Sequence, residues 1–422
     1  MNEFQFDVAV IGGGPAGMAA AIEARKNGAS VALVERNPHL GGILLQCIHS
    51  GFGLKCFKQE LTGPEYAQRF VNQLGETDVT VLLSTMVLQI TKDKKVVCMN
   101  EKGISVLNAK AVVLAMGCRE RTRGEIKIPG DRCAGVLTAG LAQHYINIDN
   151  YCPGHRFVIL GSGDIGLIMA RRLSLEGMKV EGVYELMPYP NGLKRNIKNC
   201  LEDFGIPLHL STTVTRVIGE KGRVAAVEVT KVDEKLQPVD GTSKIVPCDT
   251  LLLSVGLVPE NELSAGAGVK LNPRTHGAVV NDSLETSVPG IFACGNVLHV
   301  HDLADNVTVE ARHAAACAAA FAKGEQKESN PAITVNCEDP IGYTVPSEIY
   351  SREKASVLFR VRRPVENARM VVTSEGSILL QGRPRSYIPS TMEELVLPSA
   401  VLQKADGEIT LKIESVLGGE NP

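Results

Sequence analysis

Phe6-Asp7-Val8-Ala9-Val10-Ile11-Gly12-Gly13-Gly14-Pro15-Ala16-Gly17-Met18-Ala19-Ala20-Ala21 carries the strongest fold signal in the chain. Its apolar start reads as a strand, its glycines turn the chain, and the alanine-rich remainder, opened by Pro15, reads as a helix running to Asn27 and stopped at Gly28. A second strand is predicted over Ser30 to Glu35, which completes a β-α-β opening. In that setting the GxGxxG spacing has a mechanism. Gly12 permits the tight turn, Gly14 lets backbone approach a pyrophosphate, and Gly17 lets helix pack on strand. Pro15 and Ala16 begin a helix whose unbonded N–H groups and dipole favour an anion. Glu35 lies 18 positions after Gly17, at the end of the second strand, where a carboxylate accepts the hydroxyls of an adenosine ribose. Arg36 follows it.

The same layout recurs in mid-chain. Phe157 to Leu160 reads as a strand, Gly161-Ser162-Gly163-Asp164-Ile165-Gly166 as the turn, Asp164 to Glu176 as a helix closed by Gly177, and Lys179 to Glu185 as the next strand. Glu185 follows Gly166 by 19 positions. A second dinucleotide is implied. An acidic residue there repels a 2′-phosphate and favours NAD(H) over NADP(H), while Lys194 and Arg195 downstream are the cations that would suit NADP(H). The competing reading is a nucleotide fold kept without its ligand.

Between the units, Val79 to Ile90 and Lys95 to Cys118 read as short strands ending in Ala111-Val112-Val113-Leu114-Ala115. Buried strands are also predicted at Thr250 to Val255 and Gly290 to Gly295, then a helix from Val307 to Lys323. From about Asn330 the character changes. Val357, Phe359 and Val361 alternate with Arg360 and Arg362, and Ile409, Leu411 and Ile413 with Thr410 and Lys412, with Asp406-Gly407 as a hairpin turn. The expected class is α/β: two Rossmann-like three-layer dinucleotide-binding domains and a small β-rich C-terminal domain. Boundaries are expected at 1–148 and 261–330 for the two segments of the first domain, 149–260 for the second, and 331–422 for the β-rich part.

The composition is that of a globular chain, with 422 residues, 44% hydrophobic and 22% charged, and a net charge of −3 that offers no basic field for nucleic acid. No apolar stretch reaches the length of a membrane span, about 18 residues, and no leader is legible after Met1, so a cytoplasmic address is expected. Eleven cysteines are spread with no two closer than nine positions. That spacing argues against a local metal cage, an iron-sulfur cluster or a redox dithiol.

With both glycine turns quoted, two further blocks carry a resemblance: Ala115-Met116-Gly117, and Ser254-Val255-Gly256-Leu257-Val258-Pro259-Glu260-Asn261. A last one is Thr286 to Asn296, ending in Ala293-Cys294-Gly295-Asn296. Over residues 5 to 325 the chain resembles the two-dinucleotide-binding flavoproteins, the pyridine nucleotide-disulfide oxidoreductase-like family without the redox disulfide. That group includes thioredoxin reductase, sarcosine oxidase alpha-like and hydrogen cyanide synthase-like FAD subunits, and FAD proteins associated with anaerobic glycerol-3-phosphate dehydrogenase. The segment Cys118 to Tyr145 looks closer to the latter branches. The resemblance implies FAD on the first unit, with Arg36, Gly42, Val87, Ala115, Gly117, Gly295, Asn296 and Thr308 around it, and NAD(H) on the second, with Gly256. The family's Gly-Asp is Gly295-Asn296 here, which removes a negative charge beside the phosphates.

The resemblance also lays the glycine-rich loop Gly41 to Gly53 against the flavin, so Cys47 and His49 are candidate catalytic groups, with a packed loop as the plainer reading. His299, His301 and Asp302 read as a solvated turn before a helix, and a metal there would need further ligands. Arg360, Arg362, Arg363, Arg383 and Arg385 read as an exposed basic face. The function expected is an FAD-dependent oxidoreductase moving hydride and electrons between NAD(H) and an external acceptor or redox partner protein. The alternatives are an FAD subunit of a multisubunit glycerol-3-phosphate, amino-acid or amine dehydrogenase, and a non-catalytic FAD-stabilised scaffold.

Overall fold

The computed structural model describes residues 2–325 and 331–416. The chain forms two compact units: Met1–Leu45, Ser50–Cys118 and Pro259–Pro422 make one, and Gln46–His49 with Arg119–Val258 make the other.

The first unit is built on a sheet in the order Thr80–Leu82, Val31–Val34, Asn2–Ile11, Gly103–Leu114, Lys95–Asn100, Met86–Ile90, with Ile291–Ala293 also on Gly103–Leu114. The strand Gly103–Leu114 serves two roles along its length. Its first half pairs antiparallel with Lys95–Asn100, while Val112 to Leu114 pair in parallel with Ile291–Ala293. Its other edge runs parallel to Asn2–Ile11 throughout. That is why the apolar run of residues 111–114 is fully buried: it sits between parallel strands, under helices. The helices Pro15–Lys26 and Ala304–Ala322 pack on each other through small side chains, which lets their axes come close.

The C-terminal part of this unit is β-rich. One sheet has the order Glu348–Ile349, Ile333–Cys337, Glu408–Ser415, Val365–Ser374, Ser377–Gln381, with Arg385–Tyr387 also on Val365–Ser374. The other has Ile341–Val345, Lys354–Val361 and Glu393–Pro398. The alternation predicted at Val357, Phe359, Val361, Ile409 and Leu411 points these side chains into one core. Asp406-Gly407 corrects an expectation: it leads from the short helix Ser399–Leu402 into the strand Glu408–Ser415, so it is not a hairpin turn. The boundary expected near Asn330 lies outside the described residues.

The second unit has a parallel sheet in the order Val136–Thr138, Thr250–Leu253, Arg156–Leu160, Lys179–Tyr184, Leu208–His209. A three-stranded antiparallel sheet, Thr212–Glu220, Arg223–Lys231 and Lys244–Pro247, accompanies it. Residues 119–148 therefore belong here, and the boundary expected at 148 is displaced. Val136–Thr138 supplies the edge partner that the fully buried Thr250–Leu253 needs, yet a strand of three residues leaves no periodicity to read. No helix among the described residues is long and apolar enough to cross a membrane.

Candidate functional site

In the first unit the strand register puts the carboxyl ends side by side: Ile11 is opposite Val34 and Leu114, and Leu114 is opposite Ala293. The chain leaves the sheet there as Gly12, Glu35, Ala115 and Cys294, the edge at which open α/β sheets bind ligands. Crowding at this edge explains the glycines. Gly12 has φ +104°, and a Cβ on it would lie 2.5 Å from the Ala115 carbonyl oxygen. A Cβ on Gly17 would lie 1.7 Å from the Gly12 carbonyl oxygen. Around Gly14, by contrast, a Cβ would meet nothing within 4 Å. The helix it caps has Pro15 in its first turn and no side-chain cap on its N–H groups.

Glu35 is buried, accepting the Gly13 N–H at 2.6 Å through Oε2 and the Asn37 N–H at 2.7 Å through Oε1. Each oxygen keeps a further lone pair for a hydroxyl. Gly41 donates to the Gly13 carbonyl at 2.9 Å, and Gly42 reaches Gly14, where a Cβ would be 3.0 Å from the Gly14 Cα. Gly295 comes up to the helix start, since its Cβ would stand 3.0 Å from that of Ala16. Asn296 accepts the His301 N–H at 3.0 Å and points its Nδ2 at the Cys118 Sγ, 3.5 Å away, beyond Gly117. Thr308 is buried, its hydroxyl 2.8 Å from that of Tyr66. Val87 is buried in the strand Met86–Ile90, and Arg36 is exposed.

The second unit repeats the arrangement with one addition. Leu160 is opposite Leu253 and Tyr184, so Gly161, Ser254 and Glu185 leave one edge together. Glu185 is buried and accepts from the Ser162 N–H at 2.9 Å, the Ser162 hydroxyl at 2.6 Å and the Met187 N–H at 2.9 Å. The helix Asp164–Leu175 lacks a side-chain cap at Gly163. The Asp164 carboxylate turns sideways to Leu193 N–H and Asn196 Nδ2, and Ile165 follows it half-buried. Ser254 pins the turn: its hydroxyl accepts from Gly166 N–H at 3.1 Å, and Cβ atoms on Gly161, Gly163 and Gly166 would each fall within 3.0 Å of it. The sequence places Ser254 in a recognisable block without showing this role, although a small hydroxyl residue at a strand end facing a glycine turn is a usable signal.

A family model described as pyridine nucleotide-disulphide oxidoreductase matches residues 6–319. The chain belongs to that family. Its members are FAD- and NAD(P)-dependent oxidoreductases, and so is this protein. Among curated proteins it is 26% identical over 299 residues to a ferredoxin–NADP reductase of Streptococcus gordonii, covering 69% of this chain and 85% of that one. It is 28% identical over 316 residues to an opine oxidase subunit of Agrobacterium tumefaciens, covering 69% of this chain and 61% of that one. Among solved structures, T. acidophilum thioredoxin reductase superposes with a TM-score of 0.62 at 23% identity, covering 76% of this chain and 99% of that one, a likeness of fold.

All eleven cysteines lie in the described residues and none is disulfide-bonded. Cys47 and His49 sit on a segment packed within the second unit, where Gln46 Nε2 bonds the Gly140 carbonyl at 2.8 Å and His49 lines a cavity of about 180 Å³ with Gln143 and Asn147. Burial pushes the Cys47 thiol up to about 12, so it stays protonated near neutrality. Its thiolate fraction at pH 8 is about a thousandfold below that of an ordinary thiol. Alkylation of Cys47 by iodoacetamide, followed by peptide mass spectrometry, is accordingly expected to be slower in native protein than in urea by a factor on that order. Equal rates would refute it.

Two further expectations need correction. His299, His301 and Asp302 are not a solvated turn: both histidines are buried on Glu310, and Asp302 is half-buried and pairs with Arg360. Of the arginines expected on an exposed face, Arg362, Arg363, Arg383 and Arg385 are exposed, and Arg360 is the one that is half-buried. Arg360 bonds the Val300 and Pro389 carbonyls, Arg363 pairs with Asp339, and Arg385 pairs with Glu393 while lying 4.4 Å over the Tyr387 ring. Only tertiary packing reveals such pairings, because the partners lie 24 positions apart for Arg363 and Asp339, and 58 for Arg360 and Asp302.

Proposed function

We propose that FAD lies on the Gly12–Gly17 turn with Glu35, Gly42, Ala115, Gly117, Gly295 and Asn296 around it, and that NAD(H) docks on the Gly161–Gly166 turn with Glu185 and Gly256. Hydride then passes from the nicotinamide to FAD, and electrons leave to a separate acceptor, with a redox protein favoured. The observation that carries this reading is the doubled edge: two helix starts whose N-cap glycine supplies no side-chain cap, each beside a buried carboxylate at the end of the next strand. The open space at Gly14 suits a pyrophosphate. FAD supplies the electron chemistry, and the protein supplies position and charge. With no disulfide to receive electrons, an outside acceptor is needed, and the Streptococcus relative is by name a reductase of such a protein. A cytoplasmic setting, where thiols stay reduced, fits the eleven cysteines.

NAD(H) is the favoured nucleotide, because a carboxylate at Glu185, buried at the end of the second strand, would repel a 2′-phosphate, against the NADP in that relative's name. The deciding experiment is anaerobic stopped-flow reduction of the purified yellow protein. NADH is expected to bleach the flavin at least tenfold faster than NADPH, and Glu185→Arg to narrow that ratio. Equal rates, or no effect of the substitution, would overturn the nicotinamide assignment, and a colourless protein that takes up no FAD would overturn the whole reading.

A second reading rests on the opine oxidase relative: this chain is an FAD subunit whose electrons enter from a partner dehydrogenase. It gains support if NADH fails to reduce the flavin while a co-purifying subunit with its substrate does. Under either reading Cys47→Ser and Cys118→Ser leave NADH-to-dye or substrate-to-dye turnover within a few-fold, and loss of flavin reoxidation in either would reveal a working thiol.

A further inference from the structure

His299, His301 and Glu310 form a cluster that the proposed hydride path does not use. All three are buried. The carboxylate of Glu310, on the helix Ala304–Ala322, bridges the rings: Oε2 lies 2.7 Å from His299 Nε2 and Oε1 3.1 Å from His301 Nε2, while Oε1 also accepts the Gly295 N–H at 2.6 Å. The rings stand edge to face, centroids 4.4 Å apart. Burial alone would raise the Glu310 carboxyl, but His301 and His299 outweigh it and hold it well below the usual carboxylate range, so it stays ionised. An ionised bridge accepts and cannot donate, so each facing Nε2 must carry hydrogen. In a neutral ring the basic nitrogen is then Nδ1, and the Nδ1 atoms of His299 and His301 are both buried with no hydrogen-bond partner.

Two buried basic lone pairs with nothing bonded to them are a costly feature, and they need a reason. A metal does not supply it. Bound through both Nε2 atoms, a metal would leave each Nδ1–H buried without an acceptor; bound through both Nδ1 atoms, it would keep Glu310 as the acceptor of the Nε2–H groups and have only two ligands from the cluster. A proton does. The cluster touches the site at two points, through the Gly295 N–H on Glu310 and through the His301 N–H on Asn296 Oδ1. Asn296 is neutral, and Glu310, which accepts the Gly295 N–H, is a fixed negative charge behind this part of the turn.

We propose that the His299–Glu310–His301 cluster is a redox-linked proton acceptor: when FAD bound beside Gly295 and Asn296 is reduced, one ring takes a proton from solvent on Nδ1, and it releases that proton on reoxidation. The inference rests on the FAD reading above. The balance is simple. A hydride delivers two electrons and one proton, which leaves one net negative charge on the cofactor, and one proton on the cluster offsets it. Burial, with His301 and Arg360, keeps the His299 imidazole below its ordinary range against the pull of Glu310, so a new nearby negative charge has a neutral ring to act on. The charged and titratable groups facing the cluster are Arg360 and Tyr343 from the C-terminal strands, Asp302 on the connecting segment and Cys294 behind Glu310. Of these, Arg360 opposes protonation, and Asp302 pairs with it.

The test uses the FAD-loaded full chain. Proton uptake on anaerobic reduction by one equivalent of NADH or dithionite is followed with a pH-indicator dye at pH 8, alongside redox-difference infrared spectra of protein carrying ring-labelled histidine. Wild type is expected to take up one more proton per two electrons than His299→Gln/His301→Gln, and its difference spectrum to show isotope-shifted imidazolium bands. Should the double variant fail to hold FAD, the wild-type infrared spectrum decides alone. A reducible yellow protein without imidazolium bands, or equal uptake in both proteins, overturns the proton acceptor and leaves the FAD reading standing. A colourless wild type overturns both.

Discussion

Replacement of Gly17 by alanine is expected to destroy FAD retention and to destabilise the first unit by on the order of 3 kcal/mol. The added Cβ would sit 1.7 Å from the Gly12 carbonyl oxygen and 2.8 Å from its carbon. Those are backbone atoms, held by the Gly12 N–H bond to the Val34 carbonyl at 2.8 Å, so they cannot swing aside as a side-chain tip would. Either the helix Pro15–Lys26 lifts from the sheet or the turn unwinds, and both disperse the N–H groups proposed to hold the pyrophosphate. Two companion substitutions isolate the cause. Gly75→Ala, at the end of the helix Gly63–Gly75 where a Cβ meets nothing, should be neutral or stabilise by up to about 1 kcal/mol, since alanine is the better helix former. Gly14→Ala also meets nothing in the protein, so the apoprotein should unfold at the wild-type urea concentration while FAD binds at least tenfold more weakly, about 1.4 kcal/mol. Urea unfolding and FAD titration of the four proteins give the comparison. A Gly17→Ala protein that unfolds with wild type and stays yellow would show that the turn tolerates a displacement it has no room for here.

Arg360→Ala is expected to cost about 3 kcal/mol and to loosen the β-rich C-terminal part from the strand-turn-helix part of the same unit. Arg360 lies on the strand Lys354–Val361 and reaches the segment that precedes the helix Ala304–Ala322, bonding the Val300 carbonyl at 3.1 Å and Asp302 at 3.3 Å. Its side chain is 17% exposed and that of Asp302 9%, so truncation strips the cation from a desolvated carboxylate and leaves it the Met392 N–H as a neutral donor. Arg363→Ala is the contrast. Its pair with Asp339 is more than half exposed, and such pairs are worth about 0–1 kcal/mol. Limited proteolysis should cut Arg360→Ala within residues 331–416 well before wild type or Arg363→Ala, and Arg360→Met/Asp302→Leu should regain part of the loss because it removes the stranded charge. Equal protection of all four would mean that the two parts are held by apolar packing alone.

The local pattern of the chain determined the two nucleotide-binding units. A glycine turn is written in adjacent residues, and so are the apolar run before it, the helix after it and the acidic residue that ends the next strand, so Gly12 to Gly17 with Glu35, and Gly161 to Gly166 with Glu185, were legible in order. The half-buried strands at Val357 to Val361 and Ile409 to Ile413 were legible for the same reason, since a period of two survives in any one strand. What needed the tertiary structure depends on residues far apart in the chain. Val136–Thr138 is a strand only because Thr250–Leu253 lies beside it, and three residues carry no period of their own. Ser254 matters because its strand ends next to a glycine turn some ninety positions earlier. His299 and His301 look like turn residues in sequence, and they become a buried proton site only when Glu310 comes round one side of its helix to face both rings. Charge and polarity are read from a residue's type, but burial and pairing are set by what the fold brings against it, and that is where the titration of Cys47 and Glu310 is decided.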